Sequence, residues 1–154
     1  MPVSIGFVAE FDHEVGQVRK RIEEALPVLE TLMKVETSNA VEDLVYPAYE
    51  PTKYGRRMEN GGMSDMRNYY TKIDKSKLSV TLENRTRGAS DYSDSDGWDP
   101  GQISDIIEEG VGYWWKRSQI FQDQPVPRPY TRYAEMKASD DFETGVLIDE
   151  YLST

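Results

Sequence analysis

Cysteine is missing from this sequence and histidine occurs once, at His13, so two large classes of chemistry fall away at the outset. Without cysteine there is no disulfide, no thiolate metal site and no thiol nucleophile. With one histidine there is no multi-histidine metal centre, and no histidine-dependent triad is read around His13. A lone histidine near a helix start reads as a surface or capping residue. Long apolar runs are also lacking: none approaches the roughly 20 residues a bilayer-spanning helix needs. Met1–Glu10 shows no charged stretch followed by an apolar one, so synthesis in a cytosol without export is the expectation.

The chain has 154 residues, enough for one domain with a real core. A 38% hydrophobic share with 30% charged residues is polar without being a disordered composition. Ten tyrosines supply area that tolerates both water and burial, a property suited to surfaces that become covered on assembly. The net charge of −10 is unevenly spread: residues 1–49 hold four basic and nine acidic side chains, residues 50–88 nine and five, and residues 89–154 five and fourteen. A basic middle between acidic ends reads either as solvated surface or as a subunit whose basic face meets an acidic neighbour. The overall sign disfavours specific nucleic-acid binding.

Periodicity organises the chain as α+β, a long N-terminal amphipathic helix packed on a small antiparallel sheet with further short helices. Val3–Phe11 alternates as a short strand, and residues 1–11 could instead form an extended arm that adds to a neighbour's sheet. From Asp12, a fair N-cap, Val15, Val18, Ile22, Ala25, Leu29 and Met33 define one apolar helix face. Pro27 should kink that helix, and Val41, Leu44 and Val45 extend it after a break at Thr37–Asn39. Tyr46–Asp65 reads as an ordered loop around the Asn60-Gly61 turn. Tyr69–Asp74 and Lys77–Asn84 form a hairpin, with Leu78, Val80 and Leu82 on one side and Ser79, Thr81 and Glu83 on the other. Residues 86–100 read as an exposed acidic loop. A short helix follows from Pro100, with Ile103, Ile106 and Ile107 inward and Gly110 as its stop. A last helix falls within Tyr130–Leu152, with Phe142, Val146 and Tyr151 inward.

The chemistry-bearing candidates are few. The stretch Asp91–Asp99 fails as a calcium loop, because with Gly97 at the sixth position the first is Tyr92 and the twelfth Ile103. Glu23/Glu24 and Glu108/Glu109 are paired carboxylates on helix surfaces, with nothing setting two across a cleft. Asn60-Gly61-Gly62 is too short for a phosphate cradle and reads as a plain turn. No nucleotide fingerprint or nucleophile elbow is present. The expectation is a non-enzymatic protein that needs no cofactor and no metal.

Two segments carry a specific likeness. Tyr46-Pro47-Ala48-Tyr49-Glu50-Pro51-Thr52-Lys53-Tyr54-Gly55-Arg56-Arg57 runs into Asn60-Gly61-Gly62-Met63-Ser64-Asp65, and Ile106-Ile107-Glu108-Glu109-Gly110 is followed by Pro127-Arg128-Pro129-Tyr130. In order and spacing, over residues 12–152, this resembles the head–tail joining (neck or tail-completion) proteins of long-tailed bacteriophages. The Asp91–Trp98 insertion and the Trp114-Trp115 pair depart from that pattern. The resemblance implies a structural virion protein, assembled in the host cytoplasm. It would form a cyclic ring of copies, six-fold in symmetric tails, between head connector or stopper proteins and the tail terminator or tail-tube protein.

The residues expected at subunit or partner interfaces are Tyr46, Tyr49, Tyr54, Arg56, Arg57, Trp114, Trp115, Arg128 and Tyr130. Tyrosines supply area and arginine forks grip carboxylates, although the same tyrosines could pack the loop on its own sheet. Adjacent tryptophans in an extended segment face opposite ways, so only one can enter the core. Arg128, between two prolines, is held on a stiff segment that loses little entropy on docking, or simply makes a turn. Two other readings stay open: a tail terminator, and a small acidic module that inhibits or regulates one basic partner.

Overall fold

The computed structural model of the chain describes residues 2–6, 16–48, 56–87, 103–110 and 127–147. Strand β1 is Val3–Gly6, helix α1 is Gly16–Ala40, β2 is Tyr69–Asp74, β3 is Ser79–Asn84, α2 is Ile103–Glu109 and α3 is Tyr130–Asp141. Both long helices end in widened π-type turns, Val41–Val45 after α1 and Phe142–Leu147 after α3. The strands form one antiparallel sheet in the order β1-β3-β2, and α1 and α3 lie against one of its faces. The expected α+β architecture is what forms.

Helix α1 buries Ile22, Ala25, Leu26, Leu29, Met33, Thr37 and Ala40, which recur at three and four residues. One detail differs from expectation. The helix does not break at Thr37–Asn39, because Thr37 Oγ1 donates to the Met33 carbonyl at 2.6 Å and satisfies its buried hydroxyl inside the helix. The helix runs on through Pro27. Pro27 is exposed, so the Glu23 carbonyl it deprives of a donor lies towards solvent, where water can take over. The Asp12 cap lies outside the described residues.

In the hairpin Leu78, Val80 and Leu82 are buried as expected, with β3 as the central strand. Val3 faces Leu82 and Ile5 faces Val80, so β1 completes this chain's own sheet and does not serve as a free arm over these residues. Residues 7–11 of the expected strand lie outside the described residues. Each fully buried leucine, such as Leu26, Leu29 or Leu82, contributes about 1.5–3 kcal/mol of transfer free energy.

The core falls into two adjoining clusters. One joins Ala25, Leu26, Leu29 and Met33 of α1 with Ile5, Tyr69, Val80 and Leu82 of the sheet and with Ala138 and Phe142. The other joins Ala40, Val41 and Val45 with Met63, Ile107, Tyr130 and Ala134. The end of α1 thus meets the start of α3 and the middle of α1 meets its end, so the two helices run antiparallel. Gly110 adopts φ +67 and closes α2, as a glycine stop should. Thr86 is fully buried, and its hydroxyl donates to Asn84 Oδ1 at 2.6 Å, so the segment expected to be an exposed loop from 86 onward begins tied to the core. Residues 88–100 lie outside the described residues, as do the side chains of Ile106 and Val146 and all of Tyr151.

Candidate functional site

The turn from Arg56 to Asn68 is held by a carboxylate. Asp65 is buried, and its oxygens accept the backbone N–H of Gly61 at 2.7 Å and of Arg67 at 3.0 Å, along with the Arg67 guanidinium at 2.7 Å. The Arg67 hydrogen bond, with help from the two backbone donors, holds the carboxyl well below the usual carboxylate range despite its burial. Because the Gly61 N–H is already spent on Asp65, Asn60-Gly61-Gly62 is a turn and not an anion cradle. Gly61 needs its φ of +91, and a Cβ on Gly62 would lie 2.5 Å from backbone atoms of Met58.

Behind this turn a polar layer ties it to the core. Tyr46 exchanges hydrogen bonds with Ser64, receiving the Ser64 N–H at 3.1 Å and donating to Ser64 Oγ at 3.2 Å. Ser38 Oγ donates to the Ser64 carbonyl at 2.9 Å. The Met63 carbonyl accepts from both Tyr69 Oη at 2.7 Å and Asn84 Nδ2 at 3.1 Å. Burial drives the Tyr69 hydroxyl well above its ordinary pKa, so it stays a neutral donor. With its buried polar groups satisfied, the turn presents Arg57, Met58, Met66 and Arg67 outward from a fixed backbone.

The expected interface residues separate into four sets. Tyr46 and Arg56 come together, with the guanidinium 5.0 Å from the ring centroid, and Tyr46 also packs on the core. Arg57 is exposed and donates to the Arg87 carbonyl at 2.6 Å. Arg128 and Tyr130 are buried instead: the Arg128 N–H donates to the Ile107 carbonyl at 3.1 Å, and Tyr130 is a core residue 1% exposed. Tyr49, Tyr54, Trp114 and Trp115 lie outside the described residues.

Glu108 also departs from expectation. It is buried, not on a helix surface, and both its oxygens bind Thr131 at the start of α3.

Sequence reasoning passed over the outer face of the sheet. Tyr70 is 51% exposed there, opposite Glu83 on β3. The Arg85 guanidinium lies 3.9 Å from the Tyr70 ring centroid and pairs with Glu83 at 2.8 Å. The hairpin register carried the signal, because outward positions alternate with Leu78, Val80 and Leu82 and so group Tyr70, Lys72, Glu83 and Arg85 together. Exposed aromatic–arginine pairs are the side chains that dominate binding when covered.

Among the described residues no group of three or more His, Asp or Glu side chains is placed to hold a metal, and no helix is long and apolar enough to cross a membrane. A sequence model of the YomN family matches residues 14–153, and by that match the chain belongs to the YomN family. The family takes its name from a phage-derived protein, which makes it phage-related. No curated protein and no solved structure matches the chain.

Proposed function

With this membership as premise, we propose that the chain is a structural protein of the phage neck. In this reading its copies form a ring that joins the head connector to the tail tube in the assembled virion. The work is adhesion, and no reaction is catalysed. The observation that carries the reading is the Arg56–Asn68 turn. It is fixed from behind by Asp65, Ser64 and Tyr46, and it offers arginine and methionine side chains to a partner. A surface built on a backbone already held in place loses little entropy on docking. Order, spacing and the phage-related family support the same reading.

Native mass spectrometry of the purified chain, alone and with connector and tail-tube proteins, tests it. Rings or stoichiometric complexes are expected. A chain that remains monomeric and binds neither protein would remove the proposal. A one-to-one complex with a basic partner would instead favour the regulatory module.

A further inference from the structure

Resting on that ring, we infer how its copies meet: the outer face of the sheet of one copy docks on the outer face of helices α1 and α3 of the next.

The two layers of the fold differ in charge. Residues 56–87, which supply β2, β3 and their turns, hold eight basic and four acidic side chains. Residues 16–45, which form α1 and its extension, hold four basic and six acidic, and residues 130–147 of α3 and its extension hold two and four. The linear charge pattern therefore becomes a spatial one, because β2 and β3 lie on one side of the core and α1 and α3 on the other. Asp65 pairs with Arg67 and Glu83 with Arg85 within the sheet side, as Glu24 does with Lys20 and Glu30 with Lys34 on the helix side, so neither layer's net charge is altered.

Each face also carries an apolar centre. On the sheet it is Tyr70, stacked under Arg85 with Lys72 beside it. On the helices Val28 (45% exposed), Val35 and Met136 (60% exposed) are open to solvent, with Asp140 and Glu143 and also Arg132 and Lys137 exposed on α3 and its extension. A net basic layer with an exposed aromatic–arginine pair and a net acidic layer with exposed aliphatic side chains are complementary in chemistry and in sign. Both belong to the same molecule, on opposite sides of a two-layer fold. That is the condition for a heterologous, front-to-back contact, which repeats from copy to copy and closes as a ring where the rotation between copies divides a full turn. A single acidic partner would account for the sheet face and leave the helix face unexplained.

The test uses two charge-reversed full-length variants, Lys72→Glu/Arg85→Glu on the sheet face and Asp140→Lys/Glu143→Lys on the helix face. Thermal melts first establish that both fold. Each variant alone should lose the wild-type oligomer and sediment as a monomer. An equimolar mixture should recover it, because each variant's reversed face then meets the other's reversed face as opposite charges, and the unaltered faces pair as in the wild type. Sedimentation velocity and native mass spectrometry read both outcomes, and isotope labelling of one variant should show the two alternating. Rings that survive either reversal, or a mixture that stays monomeric, would overturn this docking geometry while leaving the neck assignment standing. A wild-type chain that forms no ring even with connector and tail-tube proteins would remove both.

Discussion

Glu108 of α2 caps the first turn of α3 from 23 residues away, accepting the Thr131 backbone N–H at 3.1 Å and the Thr131 hydroxyl at 2.6 Å. Pro129, the residue at the α3 N-cap, has no side chain able to do this, so a neighbouring helix supplies the carboxylate that satisfies an orphan donor and complements the helix dipole.

Glu108→Ala should therefore destabilise the fold by about 1–3 kcal/mol, since it leaves a buried N–H and hydroxyl without an acceptor. Urea unfolding monitored by circular dichroism reads this directly. A change within about 0.5 kcal/mol, the range of ordinary surface substitutions, would show that water replaces the carboxylate at no cost.

Asp65 predicts an acid limb in stability. Its folded-state pKa is depressed below the ordinary 3.8, chiefly by the Arg67 hydrogen bond, so its contribution is fully present above that ordinary value and is lost as pH falls through the folded one. Arg67 is 76% exposed, so the ion pair itself counts for little and the two backbone N–H donors matter more. Asp65→Asn should be less stable than the wild type at pH 7, with the gap narrowing below about pH 4 as the wild-type carboxyl takes up its proton. A gap independent of pH would assign the loss to packing alone.

Gly62→Ala should disrupt the Arg56–Asn68 turn, because its Cβ would meet the Met58 backbone at 2.5 Å and backbone cannot swing aside as a side chain can. A loss of about 1–3 kcal/mol is expected, typical of overpacking in a tight site. Proteolysis should become faster within residues 56–68 before it does elsewhere.

Tyr70 and Tyr130 should part company on substitution. Tyr130→Ala removes a core ring and should cost about 3–5 kcal/mol of stability. Tyr70→Ala should leave stability within about 0.5 kcal/mol yet weaken assembly at least about tenfold, the signature of a contact made only in the complex. Equal melting temperatures for the two variants would contradict this division.

Legibility followed the range of the interactions. The α1 face from Ile22 to Met33, the alternation of Leu78, Val80 and Leu82 and the Gly110 stop were readable because each is set by neighbours a few residues away. Tyr130 and Arg128, expected at an interface, are buried within the single chain, because sequence does not say which side of a proline-rich segment meets the core. Glu108 read as a surface residue for the same reason: its partner, Thr131, becomes a neighbour only when α2 packs at the start of α3.

The sequence by itself determined the period of each element, the lack of thiol chemistry and the alternation of charge along the chain. Tertiary structure alone decided that, among the described residues, the sheet layer is net basic and the helix layer net acidic, that Asp65 and Glu108 turn inward, and that Tyr70 and Arg85 meet in the open. Local backbone sterics and hydrophobic periodicity act within a turn or a strand. Which polar group is buried, and which charge faces which, depends on contacts between residues that only chain closure brings together.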